Sequence, residues 1–98
     1  MRALLISAEE QKIEEVDIAS QDAIASLVGY DTLEMDEVDG DRLYFDEECF
    51  IRGTRGRFQI DKLIPVAGKG VIVGVDAAGD LVDTRLTVAA LSSRIRFS

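Results

Sequence analysis

The chain has 98 residues, 47% of them apolar, with one cysteine, no histidine and no tryptophan. That supplies the core of one small domain spanning residues 1–98 and argues against global disorder. The counts exclude an internal disulfide framework, a Cys/His zinc site and a histidine-based triad. Nineteen acids against eleven bases, a net charge of −8, argue against direct nucleic-acid binding, which needs a positive excess to displace phosphate counterions.

Arg2 to Ser7 reads as a strand. Its apolar run is far shorter than the roughly 7–15 residues of a signal peptide or the about 20 of a membrane span. The run from Leu63 to Val75 is broken by Pro65, Gly68, Lys69, Gly70 and Gly74. A soluble, cytoplasmic chain with no membrane partner is expected. Lys12 to Ile18 reads as a second strand hairpinned to the first. The alternation breaks between Ile13 and Val16, which predicts a bulge near Glu14-Glu15. Ser20 is a candidate helix cap, Asp22 favours the helix dipole, and Ile24, Leu27 and Val28 share one helical face. Gly29 is placed to end that helix in the left-handed conformation.

Thr32 to Val38 returns to strand, with Leu33 and Met35 on one face and Glu34 and Asp36 on the other. Asp39-Gly40-Asp41 marks a hairpin turn into Arg42 to Asp46. A two-residue loop sets Glu34 opposite Phe45. A three-residue loop sets Met35 opposite Phe45 and Glu34 opposite Asp46, and the apolar match favours it. Asp46-Glu47-Glu48 turns into Cys49-Phe50-Ile51. Phe58 and Ile60 alternate as a further strand, Val71 to Val75 is a buried strand, and Leu81 to Leu86 another. Thr87 caps a last helix carrying Val88, Leu91 and Ile95, near 88–95. Leu5, Ile24, Leu27, Met35, Phe45, Ile60, Val73 and Leu91 are the predicted core. The sum is an α+β fold, a mainly antiparallel sheet with two short helices.

The start Arg2-Ala3-Leu4-Leu5-Ile6, the Glu-rich second strand, Leu43-Tyr44-Phe45-Asp46-Glu47-Glu48 and Val71-Ile72-Val73-Gly74 form a layout that spans nearly the whole chain. It resembles a family of short phage and plasmid proteins of unknown function. The resemblance implies a mobile-element gene acting in a bacterial cytoplasm. It assigns no catalytic residues, and by analogy with other small phage proteins it points to binding of a host factor.

The charge is concentrated. Residues 31–48 hold nine acids and the single base Arg42, a net of −8, while the other eighty residues cancel. One interpretation is a solvated face that protects a sheet edge and keeps the chain soluble. The other is a docking surface, Glu34, Asp36, Asp46, Glu47 and Glu48, for a protein with a basic surface. The segment does not fit a calcium loop: with Gly40 at the sixth position the first ligand is Met35. Nor do acids crowded on turns fit a tuned acid/base pair.

Arg52, Arg55 and Arg57 lie in a glycine-flexed loop that can hold a phosphate or carboxylate, with Tyr30 or Tyr44 available to stack. The plainer alternative is a mobile loop whose arginines pair with the acidic hairpin. Gly68-Lys69-Gly70 lacks the spacing of a dinucleotide fingerprint. Cys49 has no histidine partner and reads as a small buried apolar residue. No cofactor or metal is expected, and no enzyme. The expected function is a small acidic interaction protein, an inhibitor that docks its hairpin on a host protein. The alternative is a binder or sponge for an anionic, nucleotide-like molecule using the 52–57 loop. A homodimer through a sheet edge is open. A pocket lined by these arginines favours the ligand binder, and an acidic face without a pocket favours the docking protein.

Overall fold

The computed structural model describes all residues, 1–98. The elements are β1 (Arg2–Ser7), β2 (Lys12–Asp17), α1 (Asp22–Val28), β3 (Leu33–Val38), β4 (Asp41–Asp46), a 3-10 turn (Cys49–Ile51), β5 (Arg57–Ile60), β6 (Val66–Ala67), β7 (Lys69–Val75), β8 (Leu81–Val82), α2 (Val88–Ser92) and β9 (Ile95–Phe97). The main sheet runs β2-β1-β7-β4-β3, with β8 paired to the end of β7. A second sheet runs β6-β5-β9. Every strand pair is antiparallel, so the α+β class read from the sequence holds.

The main sheet is covered on both faces, and its central strands are apolar on both. On one face Leu4, Ile6, Leu43 and Ile72 pack with Phe58, Ile60 and Val66 of the second sheet and Leu91 of α2. On the other, Ala3, Tyr44, Val71 and Val73 pack with Ile18 and with Ile24 and Val28 of α1. A helix of seven residues is too short to stand alone; burial of Ile24 and Val28, at about 2 kcal/mol each, holds it to the sheet. Gly29 ends it with φ +95°, its backbone N–H donating a hydrogen bond to the Ala25 carbonyl, as expected.

Several expectations are corrected. β1 and β2 pair without interruption, Leu5 opposite Glu14 and Leu4 opposite Glu15, so no bulge forms. The alternation breaks because Ile13 packs against one core layer and Val16, on the opposite face of this edge strand, against the other. Gln21, not Ser20, precedes α1, with no side-chain cap; the Ser20 carbonyl accepts from Ala23 N instead. Thr87 does cap α2, its hydroxyl accepting from Ala90 N at 3.1 Å. That helix stops at Ser92, and Ile95 pairs with Ile60 in β9. Only Leu81–Val82 of the Leu81–Leu86 segment pairs in the sheet. The chain then crosses so close over Gly74 that a side chain there would collide with the Asp83 backbone.

The acidic hairpin takes the register the apolar match disfavours. Val38 faces Asp41 across a two-residue loop, with Met35 opposite Tyr44, Glu34 opposite Phe45 and Leu33 opposite Asp46. Asp39 (φ +54°) and Gly40 (φ +85°) are both left-handed, the turn geometry whose twist suits a tight hairpin. Turn chemistry therefore outweighs side-chain matching here. Met35 is 51% exposed rather than core, and Leu5, Leu27 and Phe45 are only half-buried; Ile24, Ile60, Val73 and Leu91 are buried as predicted.

Candidate functional site

The β4 end of the acidic hairpin and the start of the arginine loop fold onto each other. Asp46 is the last residue of β4 and only 2% exposed. One carboxylate oxygen accepts from the Thr32 hydroxyl and from Glu48 N; the other accepts from Arg52 Nε at 2.8 Å. Arg52 Nη2 donates to Thr32 Oγ1 at 3.1 Å and lies 3.3 Å from Glu48 Oε2. Its guanidinium stacks on Tyr30, 4.1 Å from the ring centroid. Burial pushes the Asp46 carboxyl up, but the hydrogen bonds from Arg52, Thr32 and the Glu48 amide, with the Arg52 charge, outweigh it and hold its pKa below the ordinary value. The same hydrogen bond to Asp46 holds Arg52 above its ordinary value. Both groups are driven away from neutrality, the opposite of what a general acid or base needs.

Arg52 also borders a cavity of about 270 Å³, close to the ~300 Å³ at which small-ligand pockets begin. Val28, Gly29 and Tyr30 form the helix-end wall, and Cys49 and Ala67 part of the floor. Ser7, Glu9, Gly68 and Lys69 come from the ends of β1 and β7, which are neighbours, with Ser7 opposite Lys69. Thr54 completes the lining, and its hydroxyl is fully buried with no hydrogen-bond partner. An unsatisfied buried hydroxyl costs roughly 1–3 kcal/mol. Arg52 Nη1 has no protein partner. Lys69 and Glu9 form no ion pair.

The acids of the hairpin do not form one face. Asp46 is withdrawn from any docking surface by burial, and Glu48 is engaged by Arg52. Glu34 is exposed on the edge strand β3, Asp36 is half-buried on the same face as Leu43, and Glu47 is exposed. The register also separates Glu34 from Asp46, so the expected like-charge pair does not exist. Of the three arginines only Arg52 reaches the cavity. Arg55 is exposed, and Arg57 donates to the Gly56 carbonyl at 2.8 Å and stacks on Phe50. Tyr44 is buried, its hydroxyl accepting from Arg42, and is not available to stack.

Sequence reasoning missed Thr54, Lys69 and Glu9 as cavity residues. A lysine between two glycines was the one signal. Nothing local marks Glu9, which enters because the 52–57 loop lies on its turn: a Cβ at Gly56 would sit 2.7 Å from the Ala8 carbonyl oxygen. No helix is long and apolar enough to cross a membrane. Comparison with protein-family models, curated proteins and solved structures found no match to this chain.

Proposed function

We propose that this chain is a non-catalytic binding protein whose cavity beside Arg52 takes a small molecule through an anionic group. The observation that carries this reading is Arg52, fixed at the cavity rim with Nη1 free of any protein partner and Lys69 in the same lining. Arg52 is held rigid by Asp46, Glu48, Thr32 and Tyr30, so little side-chain freedom is lost when a ligand meets its free Nη1. Amide NMR titration with small carboxylates and phosphates, free amino acids included, tests it. Shifts should centre on 28–30, 52–54 and 67–69, and Lys69→Gln, a surface change that keeps the fold, should weaken them several-fold. Shifts confined to β3, or none, would overturn the reading.

The sheet edge supports a second reading, docking on a host protein with a basic surface in a bacterial cytoplasm. Glu34, Glu37 and Glu47 are exposed and unpaired, with Met35 half-exposed among them on β3. Glu34→Lys with Asp36→Lys should abolish such an association and leave cavity binding unchanged. A complex unmoved by both reversals would remove the edge from consideration.

A further inference from the structure

The lining charges of the cavity cancel, and Glu48, paired with Arg52 just outside it, tips the surroundings negative, which decides what kind of anion-bearing molecule fits. Arg52 and Lys69 bring two positive charges, Asp46 and Glu9 two negative ones. Asp46 is spent on Arg52, Thr32 and its own turn. Glu9 is exposed and unpaired, on the β1–β2 turn against which the 52–57 loop packs. The free groups are therefore Arg52 Nη1 and the Lys69 ammonium as donors and the Glu9 carboxylate as acceptor.

We infer that the cavity is built for a small zwitterion of the α-amino acid type, its carboxylate toward Arg52 and Lys69 and its ammonium toward Glu9. This rests on the small-molecule reading above and narrows its ligand class. A phosphate dianion adds two negative charges to a site whose cations are already matched by Asp46, Glu48 and Glu9, inside a chain of net charge −8, and the surrounding field opposes its approach. A zwitterion adds no net charge and meets each free ion with its opposite. Its apolar body, if it has one, meets Val28 and the Tyr30 ring. A volume of about 270 Å³ holds such a molecule.

Glycine, L-serine and L-leucine are the probes, each run beside the carboxylate that lacks its amino group and the amine that lacks its carboxylate, with inorganic phosphate as a further comparator. Binding is read from the amide signals of Gly29, Thr54 and Gly68 in the wild-type chain. At least one amino acid should bind tenfold or more tightly than both of its analogues. Glu9→Gln should erase its advantage over the carboxylate, and Lys69→Gln its advantage over the amine, with the amide spectrum otherwise unchanged. Equal or tighter binding of the bare carboxylates or of phosphate would overturn the zwitterion while the small-molecule reading stood. Silence of those amides toward every probe would overturn both.

Discussion

β3 and β4 are two halves of one hairpin, each six residues long and each carrying acids, yet their carboxylates do different work. β4 lies between β7 and β3, with apolar layers on both faces, and both of its acids are buried. Asp41 accepts from the Thr84 hydroxyl at 2.5 Å and from Arg85 N; Asp46 anchors Arg52. β3 is an edge, and its Glu34 and Glu37 face water without forming an ion pair, although Glu37 lies opposite Arg42 in the register. A run of acids in sequence is thus not a surface. Each carboxylate at the end of a central strand is enclosed by whatever packs over that end, and it survives there because donors meet it.

The sharpest way to break this comparison is Asp46→Ala. It strands the half-buried Arg52 and leaves the Thr32 hydroxyl and Glu48 amide short of an acceptor. A loss of about 3 kcal/mol is expected, the low end for breaking a buried pair because Arg52 keeps some solvent, read by urea denaturation. Asp41→Ala should cost about 2 kcal/mol by leaving Thr84, 1% exposed, without its partner. Gly40→Ala, which puts a side chain on a left-handed residue of the hairpin turn, should cost about 1 kcal/mol. Glu34→Lys should stay within about 0.5 kcal/mol of wild type. A loss from Glu34→Lys as large as that from Asp46→Ala would erase the distinction between edge and centre.

Acid sharpens the same contrast. Asp46 has a folded-state pKa below its unfolded value, so its stabilisation is complete above the ordinary carboxylate pKa of about 3.9 and fades as pH falls through the folded value. Wild-type stability should therefore fall on acidification below about pH 4 more than that of Asp46→Asn, whose side chain does not titrate. Asp61 shifts the same way, because Arg94 hydrogen-bonds it, but it is exposed and solvent screening makes its share small. Parallel pH curves for wild type and Asp46→Asn would contradict the role given to Asp46.

Much of the hairpin and helix plan was legible from local signals. Gly29 ends α1 because only a residue without a side chain enters that conformation cheaply, and Thr87 caps α2 through its own hydroxyl. The β1–β2 and β3–β4 hairpins, the Val71–Val75 strand and the buried Cys49 were legible too. The candidate site was legible only in part. Arg52 and Tyr30 stood out by residue type, whereas Thr54, Lys69 and Glu9 acquire meaning from a loop, a strand end and a turn that meet only after folding.

The sequence by itself determined the elements whose cause is local: turn residues, helix ends, apolar strands and the acidic content of residues 31–48. The tertiary structure alone decided which acids see water, which arginine meets them, and where the last helix stops. The physical reason is shared. Enclosure and charge pairing depend on neighbours distant in sequence, so Asp46 is an anchor and Glu34 a surface group although both are acids on one hairpin. Ile95, helical by its spacing, is a strand residue because Ile60 is there to pair with it.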